Sequence, residues 1–329
     1  MTHALILADI EGVIDIMSLS EDEKASELFT KEVELYIDTL LKNGIDKITV
    51  CDAHNKGNMI LPRIVENFSN VTLVSQVRNV SFDKKCDFAI MVGYHGMEGS
   101  PGILSHSYRY DIKRISVFNE RLKKNIPIGE IEVGARWLGH HGVPVIFVSG
   151  DREAAYEANQ FNPYRQASCI KTIFQTERIC ADFLREKLVN NLKSALKLDW
   201  NLCISRDDSP VFVEFYHLDM VDALTNKGYT KFTASNGEGI VFKNCAELIS
   251  EIQRLADLLN QIGYEFGTIN ISFLKKVREM AKVLDKDSVI KSEAGPLLST
   301  SLSLLDKVSR DKIMLVLNDM MPKNVGAKK

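Results

Sequence analysis

Short apolar runs recur through the first half of the chain, at residues 3–9 (HALILAD), 46–51 (DKITVC), 71–75 (VTLVS), 87–93 (DFAIMVG), 114–118 (RISVF) and 143–148 (VPVIFV). They are apolar rather than alternating, which is how strands buried on both faces read. Helical spacing fills the gaps between some of them. An acidic start at Ser20-Glu21-Asp22-Glu23 precedes Leu28, Val33, Tyr36, Ile37, Leu40 and Leu41, and Asn43-Gly44 is a helix stop. Further helical patterns cover residues 129–139 and 151–159. Strand, helix and strand in alternation predict an α/β unit whose parallel sheet is covered on both faces.

The second half has a different texture. Residues 176–198 predict a long amphipathic helix, 211–216, 231–234 and 239–242 predict half-exposed strands, and 246–262 predict another helix. This mixture predicts a smaller α+β unit. Beyond residue 265, helical patterns near 270–285 and 297–320 flank a Gly295-Pro296 break. The expected organisation is therefore an α/β unit at 1–175, a smaller α+β domain at 176–264 and a helical C-terminal extension at 265–329.

Composition narrows the class. With 45% hydrophobic and 26% charged residues in 329, the chain can bury a sizeable core and is neither collagen-like nor disordered overall. The net charge of −3 argues against a dedicated nucleic-acid or membrane-surface binder. That near-neutrality hides an asymmetry. The last 64 residues hold 12 Lys and Arg against 7 Asp and Glu, a net +5, which leaves the remainder at −8. The extension is accordingly expected to pack on the acidic body of its own chain or of a neighbouring subunit.

Six cysteines (Cys51, Cys86, Cys169, Cys180, Cys203, Cys245) form no CxxC pair, so neither a zinc ribbon nor a disulfide framework is indicated. Asp9 and Glu11 stand where a signal peptide needs its apolar run, and the longest stretch free of charged residues, 137–150, is too short to span a bilayer. A soluble, cytoplasmic protein with reduced thiols is expected.

Candidate chemistry gathers at the ends of the predicted strands, where open parallel sheets build their sites. Asp9-Ile10-Glu11-Gly12 places two carboxylates at i and i+2, which share a face in extended backbone; a polar strand end is the plainer reading. Asp52-Ala53-His54 offers an imidazole ligand with a supporting carboxylate, or simply a turn. His95 and His106 share one Gly/Ser/Pro-rich loop after the strand 87–93. Two of the chain's seven histidines in one loop make a purely structural role for both less attractive. Glu130 opens a predicted helix, where an acid also suits the helix dipole. His140 and His141 near that helix's end read as dipole partners, and 236–239 as a turn. Carboxylates and imidazoles without thiolates suit zinc, manganese or iron, and five such ligands exceed what one catalytic zinc takes. A metal pair with one bridging carboxylate fits, and its usual chemistry is hydrolysis by a metal-bound water. Walker, GxSxG, HExxH and GxGxxG motifs are absent.

Taken together, ADIEG (8–12), CDAH (51–54), GYHGMEGSPGILSHS (93–107), IGEIEVGA (128–135) and VPVIFVSGD (143–151) resemble the D-aminopeptidase family of dinuclear zinc metallopeptidases, in order and at compatible spacings. Weaker similarity continues through CIKTIF (169–174) and SPVFVEF (209–215) to about residue 262. The resemblance implies a Rossmann-like domain joined to a smaller α/β sandwich. It implies two zinc ions per subunit, with Asp9 bridging, Glu11 and His95 completing one metal site, and His54 and Glu130 the other. It makes His106 the catalytic histidine. It also implies an aminopeptidase acting on the N-terminal amide of short peptides, and a ring-like homo-oligomer, a decamer, with no nucleic-acid or membrane partner. The sequence departs from the family at Leu7, Cys51 and the stretch 96–99, so a preference for D-residues is left open. Two other readings stand beside it: a dinuclear-metal amidase or phosphoester hydrolase of a specialised pathway, and a non-enzymatic scaffold. A GDxHG signature and a basic cluster near the ligands are absent, which counts against the phosphoester reading, and the presence of every ligand counts against the scaffold.

Overall fold

The computed structural model describes residues 1–16, 23–82, 86–102, 104–109, 111–119, 121–171, 181–206, 209–234 and 237–261. In chain order the elements are β1 (His3–Ala8), α1 (Glu23–Lys42), β2 (Lys47–Asp52), α2 (Arg63–Asn67), β3 (Val71–Ser75), β4 (Phe88–Tyr94), β5 (Ile112–Asn119), β6 (Lys124–Ile128) and α3 (Glu130–His140). They continue with β7 (Val145–Asp151), α4 (Arg152–Phe161), β8 (Gln166–Lys171), α5 (Ala181–Ala195), β9 (Val211–Phe215), α6 (Leu218–Thr225), β10 (Lys231–Ala234), β11 (Gly237–Phe242) and α7 (Cys245–Gln261). The expected helix start at 20–22, residues 176–180 of the expected long helix, Cys180 and the whole extension 265–329 lie outside the described residues.

The first sheet has the order β3-β2-β1-β4-β7-β8, and every pairing in it is parallel. β1, β4 and β7 are buried along their whole length, which is why their sequences read as unbroken apolar runs. Successive side chains on β1 point to opposite faces. Ala4, Ile6 and Ala8 join Phe29, Val33 and Ile37 of α1 and Leu184, Leu188 and Leu192 of α5 in one core. Leu5 and Leu7 face the other way, into a second core. From β1 the chain runs outward through β2 to β3 and then returns to β4 on the opposite side. The order therefore reverses between β1 and β4, which opens a crevice at their carboxyl ends.

The second sheet has the order β10-β11-β9-β5-β6 and is antiparallel throughout. The run 114–118, grouped above with the parallel strands, belongs here: β5 pairs with β6 and β9. β6 (KNIPI) escaped the sequence reading because it is an edge strand, largely exposed, with Pro127 inside it. The described part of the long helix, α5, packs on β7, β8 and α1 of the first layer. Thus each sheet recruits elements from both sides of residue 175. The core that contains Leu5 and Leu7 also holds Ile131, Val133 and Leu138 of α3, Val211, Val213 and Ile240 of the second sheet, and Leu255 and Leu259 of α7. Helix α3 packs on β4 and β7 on one side, on β6 on the other, and along α7. Among the described residues no helix is long and apolar enough to cross a membrane.

Candidate metal centre

The six singled-out side chains come together at the crevice between β1 and β4. Asp9 and Glu11 follow β1, and the Asp9 N–H donates to Val92 O at 2.9 Å and the Gly12 N–H to Gly93 O at 2.7 Å, tying this segment to the end of β4. Gly12 is required by that close approach, since a Cβ there would lie 2.0 Å from Tyr94 O. His54 stands in the loop after β2, His95 directly after β4, His106 further along the same loop, and Glu130 opens α3.

Both carboxylates of the first cluster reach one imidazole: His54 Nδ1 is 3.3 Å from Asp9 Oδ1 and 3.3 Å from Glu11 Oε1. The other oxygen of Asp9 faces the opposite way, with His95 Nε2 3.5 Å from Asp9 Oδ2 and 3.6 Å from Glu130 Oε1. His106 Nε2 lies 3.8 Å from Glu11 Oε1 and 3.9 Å from Glu130 Oε1. The His95 and His106 rings stack at a centroid separation of 4.1 Å and an angle of 7°. Three groups of side chains offer donor atoms within 4.8 Å of one another: Asp9/Glu11/His54, Asp9/His95/Glu130 and Glu11/His95/His106. The first two share Asp9, one through each oxygen. The resemblance pairs Glu11 with His95, which the third group also brings together, and His54 with Glu130, whereas the first two groups set His54 beside Glu11 and His95 beside Glu130. Glu11 lies two residues beyond Asp9 and converges with it on His54, while His95 faces Glu130 across the crevice.

The electrostatics are those of a site built for positive charge. Burial raises the Asp9 carboxyl above its ordinary value, with the charge of Glu11 adding to the effect. Burial likewise drives Glu130 well up, reinforced by Asp9 and Glu11. At Glu11 burial works upward too, but the charges of His54 and His106 and hydrogen bonds from His54 and Asp9 outweigh it and hold this carboxyl below its usual range. Burial and the neighbouring His106 push His95 down to about 3, so the ring is neutral. Its Nδ1 lies 2.9 Å from Gly96 O. A carbonyl can only accept, so Nδ1 carries the proton and Nε2 presents a lone pair. His106 has the same tautomer, its Nδ1 donating to Leu104 O at 2.9 Å. The Nε2 of His95 is buried, makes no hydrogen bond and faces two carboxylate oxygens. Acceptors converging on acceptors in a buried crevice are stabilised by a cation between them. Two carboxylate triads with imidazole and no thiolate fit zinc. Cys51, the nearest thiol in sequence, sits in the core.

Several residues support the cluster in ways that the sequence did not display. Asp52 follows the turn reading of this segment. It accepts the backbone N–H of His54 at 3.2 Å, of Met59 at 2.7 Å and of Ile60 at 2.8 Å, so it shapes the loop that presents His54. Tyr108 has φ +56°, a conformation costly for a bulky side chain, and its N–H donates to Glu130 Oε1 at 2.6 Å. Glu98, flagged as a departure from the family, accepts from Tyr216 Oη at 2.8 Å, which ties the histidine loop to the end of β9. His141 lies outside the centre and stacks on Phe82 at 3.9 Å. Only a left-handed aromatic or a carboxylate with backbone partners would have marked these positions, and neither is visible in one sequence.

A D-aminopeptidase of Bacillus subtilis (strain 168) is 28% identical over 154 residues, covering 45% of this chain and 53% of that protein, so the match spans about half the length of the curated relative. The solved structure of the Zn-dependent D-aminopeptidase DppA from Bacillus subtilis, a self-compartmentalizing protease, matches with a TM-score of 0.64 at 22% identity, over 78% of this chain and 97% of that one, and shows that the fold is shared. Residues 3–244 match the family described as D-aminopeptidase, Peptidase_M55, and the chain belongs to that family.

Proposed function

We propose that this chain is a zinc-dependent aminopeptidase that hydrolyses the N-terminal amide bond of short peptides. The observation that carries the reading is the meeting of the lone pair of His95 Nε2 with Asp9 Oδ2 and Glu130 Oε1, beside a second carboxylate–imidazole group that shares Asp9. In this reading Asp9, Glu11, His54, His95 and Glu130 would hold two zinc ions, Asp9 being the residue common to both ligand groups. Bound zinc supplies Lewis acidity, which polarises the scissile carbonyl and brings the pKa of water toward about 7. The protein's own part is to orient and to move protons. The Nδ1–H of His106 is engaged by Leu104 O, so Nε2 is the atom that takes a proton from the attacking water and returns it to the departing amine.

Assembly and location extend the same reading. The structural relative is a self-compartmentalizing protease, and we propose a ring-like homo-oligomer, a decamer, acting in the cytoplasm on short peptides.

The test is bound metal per chain, followed by hydrolysis of short peptides with D- or L-amino termini. Two zinc ions and release of the N-terminal residue are expected. A chain without metal that stays inert after zinc addition overturns the proposal. His106→Ala is expected to keep both ions and to lose turnover by about 10²- to 10⁴-fold, and loss of metal from that variant would remove His106 from its proton-transfer role.

A further inference from the structure

Two buried carboxylates on one segment hold the loops that present Glu130 and His95, and neither belongs to the candidate ligand set. Helix α3 begins at Glu130, and its N-cap is Gly129, which has no side chain to cap with. The missing cap comes from another helix. Glu157 of α4 places Oε1 2.9 Å from the N–H of Gly129 and 3.1 Å from the N–H of Glu132, and accepts from both. A single carboxylate therefore pins the backbone on each side of Glu130. Glu157 is 2% exposed, so this acceptor is not interchangeable with water. The fit also explains the glycine: a Cβ at residue 129 would lie 2.4 Å from Glu157 Oε2 and 2.8 Å from Met97 Cβ. At the start of the same helix, Asp151 is the N-cap. Its Oδ1 accepts from Ala154 N at 2.7 Å and its Oδ2 from Gly96 N at 3.2 Å, the residue after His95. Helix α4 itself is seated on β7 and β8 and against α3, all rigid elements.

We infer that α4 is the brace for the His95–Glu130 side of the centre, and that Glu157 is a positioning residue for bound metal. It acts through Glu130, whose carboxylate is further oriented by the Tyr108 N–H. Groups that orient ligands in this way are worth about 10- to 100-fold in metal affinity. The inference rests on the proposed metal centre.

The test is zinc affinity of the full chain, measured by competition with a chromogenic chelator, alongside the unfolding midpoint of the zinc-free protein. Glu157→Ala is expected to weaken one of the two ions by about 10- to 100-fold while the other stays within about 3-fold. Glu157→Gln keeps an acceptor oxygen at the same place and is expected to hold both ions within about 3-fold of wild type. Gly129→Ala, which drives Glu157 away while leaving it in the chain, is expected to reproduce the Ala phenotype and decides the matter if Glu157→Ala does not fold. Wild type that binds two ions beside a folded Glu157→Ala variant that binds them equally well overturns the inference alone. A Gln variant as weak as the Ala variant also overturns it, because the accepted hydrogen bonds would then not be the cause. Wild type that binds no zinc overturns the metal centre itself, and this inference with it.

Discussion

Asp52→Ala removes the acceptor for three backbone N–H groups, those of His54, Met59 and Ile60. Buried hydrogen bonds to a charged group contribute about 1.5–3 kcal/mol each, not additively, so the variant is expected to lose about 3 kcal/mol in urea unfolding. It should also lose affinity for metal, because His54 leaves its place near Asp9 and Glu11. An unchanged urea midpoint would show that the loop has another anchor. At this scale the sequence was informative about the residues that meet in the crevice, offered Asp52 as a support or a turn residue, and was silent about Glu157. Asp9, Glu11, His54 and His95 sit just beyond an apolar run, Glu130 opens a helix, and His106 shares the Gly/Ser/Pro-rich loop of His95, positions that one sequence displays. Glu157 looks like any acid on the polar side of an amphipathic helix. Its partners lie 28 and 25 residues away, and only the packing of α4 on α3 reveals them.

At the scale of elements, the approach of β1 to β4 sets the width of the crevice. Gly12→Ala introduces a Cβ 2.0 Å from Tyr94 O, a backbone atom that cannot swing aside. The variant is expected to lose about 3 kcal/mol by overpacking and to bind zinc poorly, both readable in a thermal melt with and without the metal. Wild-type stability would mean that the two strand ends part without consequence. The strands of the first sheet were legible because burial on both faces demands unbroken apolar sequence. The order of those strands was not, and nor was the sheet to which β5 belongs: RISVF reads the same in a parallel or an antiparallel setting. Helix α2 is one short turn-and-a-half, and β6 lies on an exposed edge, so neither carries enough hydrophobic periodicity to be seen.

For the whole molecule, the interleaving of the two sheets matters more than their count. Leu7 of the first sheet, Leu138 of α3 and Val213 of the second sheet share one core, and the second sheet is built from strands on both sides of position 175. A chain cut there parts β5 and β6 from β9, β10 and β11 of the second sheet and removes α5 from the first. The described body is therefore expected to unfold as one cooperative unit. Two tryptophans report on it from opposite faces of the first sheet: Trp137 in the core between the sheets, and Trp200 packed under Phe88 on the other side. Single-tryptophan variants Trp137→Phe and Trp200→Phe are expected to melt with fluorescence midpoints within about 2 °C of each other; midpoints well apart would reveal two independent units. The change of texture near residue 176 was real in the sequence, but chain order does not say which layer an element joins.

The face-to-face stack of His95 and His106 has a consequence for traffic through the crevice. With the two rings in van der Waals contact, neither imidazole can turn over about its χ2 torsion unless the other moves as well. The carbonyls of Gly96 and Leu104 latch the outer nitrogens of both. The pair therefore presents its Nε2 edges together on one side, towards the carboxylates of Asp9, Glu11 and Glu130.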